Sequence, residues 1–150
     1  MAKHYVLNDQ EKNRNGGDVI VDNRVLHEFY LQPFEMSVKD GDVGSVMCSY
    51  NRIGGTYACE KPYTLNTVLR DQWGFDGYVQ SDFGATHSTA PSLNAGMDFE
   101  MPSGIRYSPE RITPALADGS RTVGTIDHAP RRSVPGRAAW RESVEDAEGG

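Results

Sequence analysis

Asp82 is the side chain whose type and position are best suited to chemistry, because it follows the run Gly77-Tyr78-Val79-Gln80-Ser81 and precedes Phe83 and Gly84. If that run is a strand of a parallel α/β sheet, Asp82 lies at the carboxyl ends of the strands, where catalytic groups gather. A carboxylate held there can attack an anomeric carbon and form a glycosyl-enzyme intermediate. It can equally accept hydrogen bonds from the backbone amides of a turn. The local pattern alone favours this second interpretation.

Apolar runs that are predicted to be strands alternate with predicted helices along the chain. Helix signals are caps, prolines in first turns and terminal glycines, such as Thr64 before and Gly74 after an apolar periodic segment. Alternation of this kind indicates parallel βα units and an α/β fold class. The predicted strands cover 4–7, 43–49, 77–81 and 97–101, and the predicted helices follow Asp22 (with a break at Pro33), Thr64, Pro91 and Ser108.

The number of organised residues limits the architecture. At roughly 31 residues for each βα unit, the ~125 organised residues supply about four units, half of a closed (β/α)8 barrel. We therefore expect an incomplete TIM-like barrel over 1–127. Residues 128–150 contain two prolines and an acidic, glycine-rich end without apolar periodicity. That composition predicts a disordered or non-homologous tail.

Charge and composition exclude several classes of partner. The formal net charge of -6 argues against nucleic acid and anionic membrane surfaces, because phosphate contacts require clustered lysines and arginines. No apolar run is long enough to span a bilayer. Two cysteines without CxxC or HxxxH partners do not make a zinc set, so no metal and no cofactor are expected.

Cys48 and Cys59 flank the glycine pair Gly54-Gly55. A disulfide between them would close a short hairpin-like loop. The alternative is a pair of reduced, partly buried thiols, as is usual in a reducing compartment. Both alternatives stay open on the residues alone, because the sequence does not give the distance between the two Cβ atoms.

Several sequence blocks together resemble glycoside hydrolase family 3. The segment Trp73-Gly74-Phe75-Asp76-Gly77 running into Ser81-Asp82 resembles the nucleophile signature of that family. Further blocks occur in the family's order and spacing and extend the resemblance over residues 2 to about 127: Lys3-His4-Tyr5, Asn8-Asp9-Gln10-Glu11 with Arg14, Val46-Met47-Cys48-Ser49-Tyr50-Asn51, Gly55-Thr56-Tyr57-Ala58-Cys59-Glu60 and Leu93-Asn94-Ala95-Gly96-Met97-Asp98-Phe99-Glu100-Met101-Pro102.

The resemblance implies specific roles for residues of this chain. The fold would be the C-terminal half of the family's N-terminal barrel domain, with Asp82 as the catalytic nucleophile. Phe83 stands where many members have tryptophan, so the aromatic platform is kept but is smaller. In members that carry both cysteines, the counterparts of Cys48 and Cys59 can be disulfide-linked. The remaining substrate-binding positions would be Lys3, His4, Arg14, Met47 and Tyr50.

Each of these binding residues also has a structural interpretation. Lys3 and His4 stand at the beginning of the sequence, where chains often fray. Arg14 could be a surface charge, and Met47 and Tyr50 could be ordinary core residues of a strand.

The expected function is that of a retaining β-glucosidase-like hydrolase that cleaves terminal β-linked glucosyl residues through a covalent glycosyl-Asp82 intermediate. Its substrate would be a small-molecule or oligosaccharide β-glucoside. Retaining hydrolysis also needs a second carboxyl group as general acid and base, about 5–5.5 Å from the nucleophile. The family takes that group from a region C-terminal to the barrel, and no segment after 127 resembles it.

Two alternatives follow from this gap. The chain could be a truncated product of a disrupted reading frame, catalytically inert and binding sugar weakly. It could instead pair its exposed strand edges with a complementary chain or an oligomer partner.

Overall fold

The computed structural model describes residues 1–117 and Gly119. The predicted tail at 128–150 and the boundary at 127 therefore lie outside the described residues. The strands are β1 (Ala2–Tyr5), β2 (Asp18–Val19), β3 (Ser45–Cys48), β4 (Arg52–Ile53), β5 (Thr56–Tyr57) and β6 (Tyr78–Ser81). The α-helices are α1 (Asn23–Val25), α2 (Gln32–Lys39), α3 (Ala90–Ala95) and α4 (Pro109–Ala117), with π-helical segments at Leu26–Leu31 and Tyr63–Gln72 and a 3-10 turn at Ala58–Glu60.

The principal sheet is parallel and has the order β1-β3-β6. Val46 pairs with Val79 in register, and both are fully buried in a core that includes Leu65 and Leu69 of the Tyr63–Gln72 segment. Because side chains alternate along a strand, Met47 lies on the opposite face of the sheet. The apolar face thus packs on a helix, as in any βα unit.

A second sheet of order β2-β4-β5 lies beyond the carboxyl end of β3. β4 and β5 form an antiparallel hairpin across Gly54 and Gly55, both of which have positive φ angles that glycine adopts without strain. Short strand β2 pairs in parallel with β4, which the sequence did not predict.

The strand predicted at 97–101 is present only as a single parallel bridge between Gln80 and Phe99. The Asp98 carboxylate accepts the Val79 amide at 2.8 Å, so a side chain takes the place of a regular ladder bond. Thr64 is also not a helix cap. The helix begins at Tyr63 after Pro62, and the Thr64 hydroxyl donates to the carbonyl of Lys61.

The α/β class with parallel strands is confirmed. Within the described residues, three strands and one bridge stand side by side, so the half-barrel stays a prediction. None of the helices in this part of the chain has the length and apolar character that crossing a bilayer requires.

Candidate active site

The carboxyl ends of β1, β3 and β6 meet at one edge of the sheet, since the three strands are parallel. Asp82 is the first residue after β6, and its amide donates to the carbonyl of Cys48 at 3.0 Å. The amide of Ser49 donates in turn to the carbonyl of Tyr5 at 2.8 Å. Backbone hydrogen bonds therefore extend the sheet to the position of Asp82 and hold it in register with its neighbours.

The two carboxylate oxygens of Asp82 have different partners. Oδ1 accepts the backbone amide of Phe83 at 2.7 Å, and Oδ2 lies 3.4 Å from Nε2 of His4. The side chain of Asp82 is 15% exposed. The turn interpretation is thus true of one oxygen, while the other faces the side chain of His4 from β1, on the far side of β3.

Tyr50 lies against the same turn. It is buried, and its hydroxyl donates to the carbonyl of Phe83 at 3.0 Å. Burial, and after it the nearby Asp82 carboxylate, raises the pKa of Tyr50 above that of a free phenol. The phenol therefore keeps its proton, and its hydrogen bond to the Phe83 carbonyl, to a higher pH than a free tyrosine would.

Arg14 contacts the other side of Tyr50. Its guanidinium carbon lies 4.2 Å from the centre of the Tyr50 ring, which is cation–π distance. Nη1 of Arg14 is 2.6 Å from Oε2 of Glu11. Arg14 therefore contacts both Tyr50 and Glu11 and is not simply a surface charge; the sequence alone assigned no contact to Glu11. The sequence signal for this ion pair is two opposite charges three positions apart.

Lys3 and His4 belong to β1, so they are held in the sheet and are not frayed. Lys3 pairs in register with Met47, which pairs in turn with Gln80, two residues before Asp82. Met47 is half-buried on the face opposite the core. Lys3 and His4 also line an open cleft of about 540 Å³ whose other wall includes Phe29, Tyr30 and Phe34.

Phe83 separates the roles of its backbone and its ring. The amide and carbonyl of Phe83 bind Asp82 and Tyr50, as described above, while the residue as a whole is 59% exposed. An exposed aromatic face beside a carboxylate offers an apolar platform for the faces of a sugar ring or an aglycone.

Cys48 and Cys59 are joined by a disulfide, with their Cα atoms 5.2 Å apart. Both residues are fully buried. The bond links the end of β3 to the 3-10 turn at Ala58–Glu60, and the carbonyl of Cys48 accepts the backbone amide of Asp82. The crosslink therefore belongs to the scaffold of the candidate site.

The carboxylates of Asp98 and Glu100 both accept hydrogen bonds from other residues of the fold. The buried Asp98 carboxylate is 2.8 Å from Nη2 of Arg70 and also accepts the Val79 amide. Glu100 accepts the amides of Arg106 and Tyr107 at 2.6 and 2.8 Å. These contacts agree with structural roles for both carboxylates.

His87 stacks on Tyr57 with ring centres 3.6 Å apart. Burial lowers its pKa, against the opposing effect of Glu60. In the part of the chain that the structure describes, no group of three His, Cys, Asp or Glu residues could hold a metal ion.

Comparison with known proteins gives concordant results. Residues 1–134 match the family model for the glycosyl hydrolase family 3 N terminal domain. The chain is 54% identical over 151 aligned positions to Beta-glucosidase cel3A of Pyricularia oryzae, covering 97% of this chain and 20% of that protein.

Comparison with solved structures gives the same family as the sequence comparison. The chain is similar to the GH3 beta-glucosidase of Bifidobacterium adolescentis, with a TM-score of 0.85, 37% identity and coverage of 93% of this chain and 20% of the other. It is also similar to beta-glucosidase 3B of Thermotoga neapolitana in complex with glucose, with a TM-score of 0.81, 38% identity and coverage of 89% and 20%. The chain thus spans about a fifth of the length of these relatives.

Proposed function

The chain belongs to glycosyl hydrolase family 3, and from that premise we propose that it supplies the nucleophile of a retaining β-glucosidase. The observation that carries the proposal is the position of Asp82 at the carboxyl ends of three parallel strands, with one carboxylate oxygen held by a backbone amide and the other facing His4. A carboxylate fixed in this way needs little reorganisation before attack.

In the proposed reaction, an oxygen of Asp82 forms a bond to the anomeric carbon of a terminal β-linked glucosyl residue. The bond from that carbon to the leaving oxygen breaks, and a general acid protonates the leaving oxygen. Water then hydrolyses the glycosyl ester, assisted by the same group acting as base. Because Asp98 and Glu100 are bound to Arg70 and to backbone amides, we assign the acid/base to neither of them.

The proposed binding residues would make different kinds of contact with the sugar. Lys3 and His4 offer a charged and a ring N–H donor to sugar hydroxyls, and such hydrogen bonds strengthen as the ring distorts. Met47 lies on the same open face of the sheet as Lys3. Arg14 and Tyr50 define the wall beside the nucleophile, and Phe83 presents its ring.

The architecture that goes with this function is part of a TIM-like barrel over 1–127, with 128–150 as a segment outside the barrel pattern. The parallel order β1-β3-β6, with a helix packed on its apolar face, supports the barrel proposal. The substrate would be a β-glucoside, consistent with the names of the relatives and with the glucose in one of their structures.

A second candidate function is sugar binding without turnover. It is favoured by the engagement of Asp98 and Glu100, which leaves the acid/base unassigned. The complementary chain considered from the sequence has no support in these observations and is not proposed.

The decisive experiment is mass spectrometry of the protein after incubation with a 2-deoxy-2-fluoro glucoside that carries a good leaving group. Such a reagent needs little acid assistance and leaves the sugar on the nucleophile. We expect one added sugar on the peptide that contains Asp82, and no addition in Asp82→Asn. Asp76→Asn, which changes an exposed aspartate before the same strand, is the matched control and should be labelled normally.

The outcomes separate the candidates. Labelling at Asp82 together with release of nitrophenol from a nitrophenyl β-glucoside supports the hydrolase. Labelling without turnover supports a half-reaction whose acid/base is lacking. A folded protein that is not labelled would overturn the proposal for Asp82.

A further inference from the structure

The guanidinium of Arg14 lies over the ring of Tyr50 and is paired with a carboxylate from its own loop. Oε2 of Glu11 accepts from Nη1 of Arg14 at 2.6 Å, and the backbone amide of Arg14 donates to the carbonyl of Glu11 at 3.3 Å. Oε1 of Glu11 accepts from Nδ2 of Asn8 at 3.3 Å. The Glu11 carboxylate therefore joins Asn8 to Arg14 within the loop that follows β1.

On the far side of Arg14 the contacts lead to the candidate nucleophile. The guanidinium lies over the Tyr50 ring, and the Tyr50 hydroxyl holds the carbonyl of Phe83. The Phe83 amide holds Oδ1 of Asp82. Contacts shorter than about 4.5 Å thus run without a break from Glu11 to Asp82.

We propose that Glu11 is a positioning residue, which keeps Arg14 on the Tyr50 ring and thereby orients the turn that carries Asp82. The proposal rests on the function assigned to Asp82 above. It adds a residue that touches neither substrate nor reacting atoms and acts only through Arg14.

The solvent exposure of the Glu11–Arg14 ion pair indicates whether stability or reactivity should change when Glu11 is replaced. The side chains of Glu11 and Arg14 are 69% and 39% exposed, and ion pairs in such surroundings contribute little to the free energy of unfolding. Tyr50 beneath them is buried. The effect of Glu11 should therefore appear in the position of Arg14 and in reactivity at Asp82 while global stability is unchanged.

The first test is the rate at which the fluoro-glucoside labels Asp82 in the Glu11→Gln variant of the intact protein. We expect this rate to fall about fivefold, the scale that a partly exposed ion pair can supply. The matched control is Glu28→Gln, which removes a 63% exposed carboxylate paired with Arg24 at 2.9 Å on a helix. The control should label at the original rate. Equal rates in the two variants would overturn the proposal.

The second test does not depend on catalysis. Arg14 lowers the pKa of Tyr50 and Glu11 raises it, with Arg14 as the larger of the two effects. If Glu11 only adds charge, Glu11→Gln lowers the pKa of Tyr50. If Glu11 holds Arg14 in place, Arg14 leaves the ring and the pKa of Tyr50 rises.

Carbon NMR of protein labelled at the tyrosine ring measures that pKa, and Tyr50→Phe identifies the resonance. A rise in Glu11→Gln supports positioning and a fall contradicts it. If the unmodified protein is not labelled at Asp82, the proposed function fails, but the direction of the Tyr50 shift still decides the role of Glu11.

Discussion

The amide of Asp82 donates a 3.0 Å hydrogen bond to the carbonyl of Cys48, and Cys48 is one half of the disulfide to Cys59. The candidate nucleophile is thus bound through its backbone to a residue that is crosslinked eleven positions further along the chain. Reactivity at Asp82 and the redox state of the two cysteines should be linked for this reason.

Reduction of the disulfide should lower the free energy of unfolding by about 3 kcal/mol, because the short loop it closes gains conformational freedom in the unfolded chain. Urea unfolding with and without reductant measures this difference. The double variant Cys48→Ala, Cys59→Ala should be insensitive to reductant. We also expect slower labelling at Asp82 after reduction, and an unchanged rate with the bond verified as broken would contradict the link.

Asp98→Asn should destabilise the fold by about 3 kcal/mol, because it leaves the guanidinium of Arg70 without its buried counter-charge. Urea unfolding gives the value. Asp71→Asn, at an exposed position of the Tyr63–Gln72 segment, should change the free energy of unfolding by less than about 0.5 kcal/mol. A similarly small effect at Asp98 would show that the ion pair is not needed for stability.

Tyr5 should make the protein sensitive to alkali. Its hydroxyl donates to the carbonyl of Thr64 at 2.9 Å, and burial raises its pKa far above the ordinary value near 10. Above about pH 10 the unfolded phenol loses its proton while the folded one keeps it. The folded state then binds more protons, so stability that is fully present below pH 10 is lost as the pH rises.

The expected slope from Tyr5 is about 1.4 kcal/mol per pH unit above pH 10. Urea unfolding at several pH values between 8 and 11 measures it. Tyr5→Phe should be less stable at pH 8, since it loses the bond to Thr64, but should lose stability more slowly above pH 10. An identical slope in the variant would rule out Tyr5 as the source.

Phe83→Ala should separate the ring from the backbone of that residue. Because only the amide and carbonyl of Phe83 hold Asp82 and Tyr50, we expect labelling of Asp82 to persist. Loss of the exposed ring should raise KM for an aryl β-glucoside several-fold, with a smaller change in kcat. Complete loss of labelling in a folded variant would show that the ring itself orders the site.

Much of the fold was predictable because local signals agreed with burial. The strands predicted at 43–49 and 77–81 are present as Ser45–Cys48 and Tyr78–Ser81. The helix predicted after Asp22 is capped by that side chain.

A 3.6-residue period places Val25, Leu26, Phe29 and Tyr30 on one face of that helix, and the prediction that this face is buried is only partly right. Leu26 is buried, but Phe29 is largely exposed and Leu31 is buried instead. The segment Leu26–Leu31 is π-helical, so its side chains depart from the 3.6-residue period on which the prediction was based. Such a change of helical period depends on packing and leaves no clear mark in a single sequence.

The sequence by itself determined the α/β class, the order of the family blocks and the position of Asp82 after a strand, because these depend on residue types and short-range periodicity. Only the tertiary structure decided which neighbours Asp82 has. His4, Tyr50 and Phe83 meet it at one edge because parallel strands bring distant segments together, and Glu11 matters through Arg14 and the Tyr50 ring. These contacts are set by strand register and by the geometry of side chains in space, which spacing along the chain does not specify.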